Sequence, residues 1–265
     1  MPELAEVEFY RKQWDSGLGQ KIVAAKLHST KRVFRATDTR AMAALLRGAV
    51  FRASEARGKQ MLFQFSGGLW LGVHLGMTGT LRVEPADFKP GRHDHLVLAQ
   101  AGRALVFNDP RQFGRVLFHR GATAPDWWAQ LPPPVTGREF TLPAMNAFLQ
   151  RRRRLPIKAA LLLQERFPGI GNWMADEILW RARIHPRTPA GRITGERARK
   201  LWRQVRWVSR QALAIIGKDF SDPPKSWLLN ERWSRDGVCP LHRTQLQRAT
   251  IGGRTTAWCG QCQGR

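Results

Sequence analysis

The stretch Phe167-Pro168-Gly169-Ile170-Gly171-Asn172-Trp173-Met174-Ala175-Asp176-Glu177 decides how the second half of the chain folds. A proline and two glycines break the apolar pattern before Asn172, and helical spacing then begins. A Gly-x-Gly-Asn turn that opens a helix presents backbone N–H groups and the positive end of the helix dipole, which suits a phosphate. Glycines here can equally serve close packing between helices, and the local sequence does not separate the two interpretations.

Helical spacing continues on both sides of this turn. The predicted helices are Leu142–Arg151, Ile157–Arg166, Asn172–Ala182 and Glu196–Ile216. Upstream, residues 131–138 read Leu-Pro-Pro-Pro-Val-Thr-Gly-Arg, a composition that continues neither a sheet nor a helix. We therefore predict a linker over 131–138 and a helical domain over 139–228.

The last part of the chain carries a C-x2-H-x16-C-x2-C pattern. Its members are Cys239, His242, Cys259 and Cys262. Two such pairs on a hairpin that turns at Gly252-Gly253 can place four ligands tetrahedrally around zinc. The odd number of cysteines argues against a disulfide framework, and a redox-active Cys-x-x-Cys pair is the alternative. We predict one structural zinc ion in a ribbon over 229–265, which would hold the turn residue Arg254 rigidly.

Short β-rich segments fill the first half of the chain, after a helix predicted for residues 3–16. The predicted strands are Lys21–His28, Ala49–Ala56, Gln60–Phe65, Leu69–Leu75, Thr80–Glu84, His95–Gln100 and Ala104–Asn108. Turns punctuate them, which is typical of an antiparallel sandwich or barrel. The fold class is therefore α+β, with the sheet domain over residues 1–130.

Loops between the predicted strands carry side chains suited to a nucleic acid duplex. The loop Asn108–Gly114 places Arg111 and Phe113 two residues apart. The ring could enter a base stack while the guanidinium reads an unpaired base. The alternative is an ordinary turn with a buried phenylalanine. Lys59 and Met77 lie at strand boundaries, although a lone lysine is usually solvated and a lone methionine usually belongs to a core.

The chain begins Met1-Pro2-Glu3-Leu4-Ala5-Glu6. Removal of Met1 would make Pro2 a free secondary amine with a pKa near the terminal-amine value of about 8, so part of it would be neutral at neutral pH. Attack of this amine on a sugar C1′ would give an iminium ion, which withdraws electrons for elimination chemistry. The alternative is that the proline simply favours the first turn of a helix and that the carboxylates suit the helix dipole.

The charge of the chain indicates its partner. Lysine and arginine number 44 against 20 aspartate and glutamate residues, a formal net charge of +24. Such a balance favours a polyanion, and nucleic acid is the natural one. The arginines are not gathered on one amphipathic helix, no run of about 20 apolar residues occurs, and the acidic start does not resemble a signal peptide. We expect no membrane partner and a cytoplasmic, nucleoid-associated location.

Taken together and in this order, these segments resemble the formamidopyrimidine-DNA glycosylase/endonuclease VIII family of base-excision repair, in its formamidopyrimidine-like branch. The motifs are Pro-Glu-Leu-x-Glu-Val-Glu, His-Leu-Gly-Met-x-Gly, Asp-Pro-Arg-x-Phe-Gly, Gly-Ile-Gly-Asn-x-x-Ala-Asp-Glu and Gly-Gly-Arg-Thr-Thr. The resemblance implies an N-terminal antiparallel β-sandwich with a helix at its start, then a helix-two-turn-helix domain with a zinc ribbon. It also implies a monomer that binds double-stranded DNA containing oxidised bases or abasic sites.

The resemblance further implies roles for individual residues. Pro2 would be the nucleophile at C1′, Glu3 the acid/base that protonates the opening deoxyribose, and Lys59 a contact to the phosphate at the lesion. Three residues would fill the space left by a flipped nucleotide and address the orphaned base: Met77, Arg111 and Phe113. Three more would hold the DNA backbone: Lys158, Asn172 and Arg254.

The implied activity is excision of oxidised purines through a Schiff base on Pro2, followed by nicking of the abasic site. The alternatives are an endonuclease VIII-like enzyme for oxidised pyrimidines, or a damage-binding protein without catalysis, which a retained Met1 would produce. The sequence departs from the family pattern where His242 replaces a cysteine. It also departs at the short segment Ile216–Pro224, where the family places its lesion-capping loop. We therefore expect ring-opened formamidopyrimidines to be preferred over 8-oxoguanine.

Overall fold

The computed structural model describes residues 1–264. The contacts between Cα atoms divide the chain into two compact units, Met1–Pro2 with Glu6–Leu131, and Glu3–Ala5 with the chain from Pro132 onward. Glu3–Ala5 was predicted to belong to the sheet domain, and it packs instead with the second unit. The physical reason is local, because Leu4 donates its N–H to the carbonyl of Gly169 at 2.9 Å and is buried there. The finer boundaries at 138 and 229 stay predictions.

The first unit is built from two antiparallel sheets, and the chain starts with helix α1 (Leu4–Gln13). Its strands are β1 (Ala24–Leu27), β2 (Phe51–Arg57), β3 (Gln60–Phe65), β4 (Leu69–His74), β5 (Thr80–Pro85), β6 (Asp94–Ala99), β7 (Arg103–Asn108) and β8 (Arg115–Arg120). Two further helices lie in this unit, α2 (Thr39–Leu46) and α3 (Asp126–Ala129). A short 3-10 turn, Trp14–Gly17, follows α1 where the prediction had continued the helix to residue 16.

The two sheets of the first unit have four strands each, in the orders β1-β6-β7-β5 and β2-β3-β4-β8. Their inward side chains share one core, in which Phe63 and Phe107 come from different sheets and Trp14 is fully buried. The predicted sandwich is therefore confirmed. Strand β8 was not predicted, because only Val116 is buried along it and charged residues stand at both of its ends.

The second unit is helical and ends in a hairpin. Its elements are α4 (Leu142–Arg151), α5 (Ile157–Leu161), α6 (Asn172–Ala182), α7 (Gly195–Asp219), β9 (Gln247–Ile251) and β10 (Arg254–Trp258). The predicted bounds of α4 and α6 are confirmed. The N-terminus of α4 is capped by Thr141, whose hydroxyl accepts the N–H of Ala144, and a proline lies in its first turn. Helix α5 is shorter than predicted, since the chain passes into turns after Leu161.

One large apolar cluster holds the helices of the second unit together. Its members include Phe140, Phe167, Ile178 and Val205, all fully buried. Through residue 264, none of the helices is both long and apolar enough to cross a bilayer.

Candidate active site

The carboxylate of Glu3 lies at the N-terminus of α6. Its Oε2 accepts the N–H groups of Gly171 at 2.9 Å and Met174 at 3.1 Å, and its Oε1 accepts that of Trp173 at 2.9 Å. Glu3 is only 2% exposed. Free N–H groups at a helix N-terminus attract an anion, and here the anion is a side chain of the same chain. The Gly-x-Gly-Asn turn therefore presents these N–H groups to Glu3 and not to a phosphate.

Gly171 is needed for this approach. A Cβ atom at residue 171 would lie 2.3 Å from Cδ of Glu3 and 2.5 Å from its Oε1. Any residue other than glycine would therefore clash with the carboxylate in this position. The sequence left two roles open for this glycine, phosphate binding and close helix packing. The structure shows a third role, because the absence of a side chain lets the Glu3 carboxylate approach the backbone. Pro2 precedes this fixed carboxylate directly and is half-buried.

Lys59 and His74 lie near each other in the first unit. Lys59 is largely buried in the turn between β2 and β3. His74 ends β4, and its Nδ1 accepts the N–H of Gly76 at 3.0 Å. Burial, followed by the positive charges of Lys59 and Arg35, lowers the pKa of His74. The ring is therefore neutral, with Nε2–H left as its donor.

The loop between β7 and β8 presents Arg111 and Phe113 to solvent. Phe113 is 42% exposed, and the guanidinium of Arg111 lies 4.9 Å from the centre of its ring. The alternative of a buried phenylalanine is therefore wrong. Met77 is half-buried in the turn between β4 and β5.

Lys158 requires a correction. The family resemblance implies a contact to the DNA backbone, yet the side chain of Lys158 is fully buried. Its ammonium group donates to the carboxylate of Asp176 and to the carbonyl of Asn172. Burial lowers the pKa of Lys158, and the charge of Asp176 opposes that shift. Lys158 therefore holds α5 against α6 and does not offer its charge to a phosphate.

Asp176 connects the helices to the terminal hairpin. Its Oδ2 accepts from Nη2 of Arg232 at 2.6 Å and from the N–H of Ala257 in β10 at 3.1 Å. Asn172 adds a second link, because its Nδ2 donates to the carbonyl of Thr255 at 2.9 Å. Arg254 is exposed at the start of β10, next to these links. Sequence reasoning missed Asp176 and Arg232, whose spacing along the chain gives no signal of their contact.

Three cysteines and one histidine meet in this hairpin region, with free thiols. The ligand atoms of Cys239, His242, Cys259 and Cys262 all lie within 4.8 Å of one another. Sγ of Cys239 is 3.6 Å from that of Cys262, and His242 Nδ1 is 3.2 Å from Cys262 Sγ and 3.7 Å from Cys259 Sγ. Tetrahedral zinc with Zn–S of about 2.3 Å and Zn–N of about 2.0 Å separates its ligand atoms by about 3.5–3.8 Å. The geometry fits a structural zinc site.

The thiols of this cluster influence one another. Although burial opposes ionisation, hydrogen bonds from the backbone of His242 and from neighbouring groups lower the pKa of Cys239 to about 6. Burial, followed by hydrogen bonds shared with the other cysteines, raises the pKa of Cys262 to about 12. The cluster therefore favours one thiolate at neutral pH, the form that binds metal.

The segment after α7 is held by polar contacts. Nδ2 of Asn230 donates to the carbonyls of Pro223 at 3.3 Å and Pro224 at 2.8 Å. Glu177 accepts the N–H of Leu229 at 3.1 Å and pairs with Arg181 at 2.6 Å. Burial raises the pKa of Glu177 to about 7 in spite of Arg181.

The class of protein follows from these parts. The chain combines a β-sandwich with a helical unit in which the N-terminus of α6 holds a carboxylate. A Cys3His hairpin with an exposed arginine follows. This combination is that of a nucleic-acid-binding protein of the helix-two-turn-helix type. Residues 1–116 match the family model of the formamidopyrimidine-DNA glycosylase N-terminal domain, and residues 131–222 match that of its H2TH domain. The chain belongs to the formamidopyrimidine-DNA glycosylase family.

Individual relatives agree over the whole length. Formamidopyrimidine-DNA glycosylase of Xanthomonas axonopodis pv. citri is 36% identical, with 99% of this chain and 100% of the relative aligned. The Thermus thermophilus protein of the same name is 34% identical over 100% of this chain and 99% of its own. The solved structure of Lactococcus lactis Fpg with DNA containing an oxidised pyrimidine has a TM-score of 0.89 at 25% identity, with both chains fully covered.

Proposed function

We propose that this protein is a DNA glycosylase that excises oxidised purines from duplex DNA and then nicks the resulting abasic site. The observation that carries the proposal is the intact Pro2-Glu3 pair, with the Glu3 carboxylate fixed by three backbone N–H groups in a chain related to named formamidopyrimidine-DNA glycosylases over its full length. Because genomic DNA is the substrate, the enzyme would act in the cytoplasm at the nucleoid.

The chemistry begins at Pro2 once Met1 is removed. The nitrogen lone pair attacks C1′ of the damaged nucleotide, the bond from C1′ to the base breaks, and the departing base takes a proton from water. The sugar ring then opens at the bond from C1′ to O4′. The Glu3 carboxylate takes the proton that the amine loses as the iminium forms and passes it to O4′. Loss of a C2′ proton to a base expels the 3′ phosphate, a second elimination expels the 5′ phosphate, and water releases the sugar from Pro2.

The target base must leave the stack before Pro2 can reach C1′. Unstacking a nucleotide costs a few kcal/mol, which contacts to the DNA must offset. The exposed pair Arg111 and Phe113, together with Met77, would fill the vacated space and address the orphaned base. Lys59, Asn172 and Arg254 would hold phosphates, which fixes the register without reading sequence.

The Cys3His cluster would hold one zinc ion as a structural site. Zinc would fix the hairpin that carries Arg254, since so few apolar residues surround it. Purified protein should contain about one zinc per chain. Cys259→Ser should lose the zinc and with it affinity for undamaged duplex. Metal-free protein that binds DNA normally would contradict this assignment.

Borohydride trapping tests the nucleophile. Reduction during reaction with an abasic-site duplex should link the DNA to a peptide that begins at Pro2, in protein whose mass shows that Met1 is gone. The matched control is protein that retains Met1, which should neither trap nor cleave. Glu3→Gln should bind the same duplex and trap poorly. Trapping at Lys59, or full activity with Met1 attached, would exclude Pro2 as the nucleophile.

Single-turnover rates test the substrate class. With few atoms in the segment after α7 to close over a flipped base, excision should depend on how easily a lesion leaves the stack. Each contact to a base edge contributes about 1–3 kcal/mol of discrimination. Ring-opened formamidopyrimidines opposite cytosine should therefore react at least about tenfold faster than 8-oxoguanine. This ratio corresponds to a difference of about 1.4 kcal/mol in activation free energy. Equal rates would show that this segment does not limit recognition, and faster release of an oxidised pyrimidine would favour the endonuclease VIII-like alternative.

A further inference from the structure

Two turns of the first unit meet at one buried carboxylate. The first turn, residues 76–79, joins β4 to β5 and carries Met77, while the second is the loop 109–114. Asp109 is fully buried. Its Oδ1 accepts the hydroxyl of Thr78 at 3.1 Å and the N–H of Arg111 at 3.3 Å, and its Oδ2 accepts the N–H of Gly114 at 2.7 Å.

The backbone of Asp109 is also anchored. Its N–H donates to the carbonyl of His93 at 3.0 Å, and its own carbonyl lies 3.0 Å from Nε2 of His95. A carbonyl only accepts, so Nε2 of His95 carries the hydrogen. His95 is buried, and its burial lowers the pKa of the ring, which keeps it neutral. The backbone of Asp109, which carries the carboxylate, is thus fixed against the start of β6.

The two turns also pack directly on each other. Gly76 has φ of +64°, and a Cβ atom there would lie 2.4 Å from the carbonyl carbon of Phe113 and 2.4 Å from the nitrogen of Gly114. No side chain fits at that position. The backbone that carries Phe113 therefore rests on the turn that carries Met77, and the hydrogen bond from Thr78 to Asp109 closes the contact.

We propose that Thr78 and Asp109 are positioning residues that join Met77, Arg111 and Phe113 into one rigid DNA-inserting unit, and so set how the enzyme opens a base pair and discriminates the orphaned base. This inference rests on the proposed function. A buried carboxylate that accepts three hydrogen bonds from two turns fixes both turns at once, and the loss of the Thr78 donor frees the turn 76–79. Neither residue has a role in the chemistry proposed at C1′, so we expect that chemistry to be independent of them.

Thr78 offers the cleanest test, because it is exposed apart from this hydrogen bond and its replacement leaves the core intact. Thr78→Val keeps the shape and removes the donor, while Thr78→Ser keeps the donor. On a duplex with a formamidopyrimidine lesion, the valine variant should lose about tenfold in single-turnover rate, and the ratio between cytosine and adenine opposite the lesion should shrink. The serine variant should retain both. On a single-stranded abasic oligonucleotide, where no base pair is opened, all three proteins should nick at the same rate.

A double-mutant cycle separates positioning from general damage. If Thr78 acts through the inserted side chains, Thr78→Val should slow a Phe113→Ala enzyme far less than it slows the wild type. Asp109→Asn provides the second variant. Its amide NH2 would face N–H groups that now donate to the carboxylate, so at least one of these hydrogen bonds would be lost. It should reproduce the loss in opposite-base discrimination.

Three results would overturn the inference: equal losses on single-stranded and duplex substrates, additive effects in the cycle, or failure of serine to restore the rate. Failure of the proposed function gives a different pattern, because then the wild-type protein itself forms no borohydride-trapped complex and nicks neither substrate. Equal urea unfolding midpoints for wild type and Thr78→Val are expected. A large drop would mean that Thr78 acts through stability and would count against positioning.

Discussion

Two buried aspartates organise this molecule in different ways. Asp109, in the sheet unit, accepts hydrogen bonds from neutral donors, two backbone N–H groups and one hydroxyl. Asp176, in the helical unit, faces two cations, Lys158 and Arg232, each of them buried. Both carboxylates join segments that are distant in sequence, and both accept a backbone N–H from a segment that carries a residue we assign to DNA.

The difference is in what remains when the carboxylate is removed. Without Asp109, the freed groups are neutral and lie close to an exposed loop that water can reach. Without Asp176, two positive charges stay in the interior with no counter-charge, and desolvated charges of this kind are strongly destabilising. Loss of Asp109 should therefore disorder only the neighbouring turn of the sheet unit, whereas loss of Asp176 should destabilise the helical unit.

The largest expected effect is therefore at Asp176. Asp176→Ala should lower the free energy of unfolding by about 3–5 kcal/mol, the usual range for breaking a buried ion pair on one side. It should also release the hairpin, because the N–H of Ala257 loses its acceptor. Urea unfolding followed by tryptophan fluorescence measures this change. Asp109→Asn is the matched comparison and should lose clearly less; if the two losses were equal, the distinction between the two aspartates would fail.

A smaller effect is expected at Glu177, which neighbours Asp176 and pairs with the guanidinium of Arg181. Its pKa is raised from 4.5 to about 7 in the folded protein. The folded state therefore holds a proton that the unfolded chain releases, and stability falls as the pH rises from about 4.5 to about 7, by up to about 3 kcal/mol.

Glu177→Gln should flatten this part of the stability profile, because the amide carries no titrating proton. Thermal unfolding between pH 4.5 and pH 8 checks it, with Glu139→Gln, a substitution at an exposed position, as the control. A slope that survives in Glu177→Gln would assign the pH dependence to other groups.

The smallest expected effect concerns DNA affinity alone. Arg254→Ala should leave folding and zinc content unchanged and should weaken binding to damaged and undamaged duplex by the same factor. Loss of one phosphate contact lowers the slope of log K against log salt by about 0.9. Arg111→Ala should instead affect lesion duplexes according to the opposite base. If the loss of affinity in Arg254→Ala depended on the opposite base, Arg254 could not be assigned to a phosphate contact alone.

Local patterns predicted much of this architecture. Helices α4 and α6 begin and end where helical spacing and the breaks at glycine and proline placed them, and the Gly252-Gly253 turn brings the predicted zinc ligands together. These features depend on neighbours within a few residues, so the sequence contains them directly. The same is true of the exposed loop with Arg111 and Phe113, although its exposure was one of two open interpretations.

Contacts over long sequence separations were not predictable in this way. Glu3 and Gly171 are 168 residues apart, and nothing in either segment indicates that the carboxylate is the anion at the start of α6. Lys158 was assigned to DNA because its residue type and position match a family motif, and its burial depends on Asp176 further along the chain. Residue type and motif position therefore predicted a DNA contact where the structure holds Lys158 in a buried ion pair.

The hydrogen bonds from Asn230 to the carbonyls of Pro223 and Pro224 have a calorimetric consequence. Fixing a flexible backbone costs about 1–2 kcal/mol of conformational entropy per residue. A segment already restrained by two prolines and a bifurcated amide has lost much of that freedom before any ligand arrives. Association with a damaged duplex should therefore carry a less unfavourable entropy than in an Asn230→Ala variant, at nearly the same enthalpy of contact.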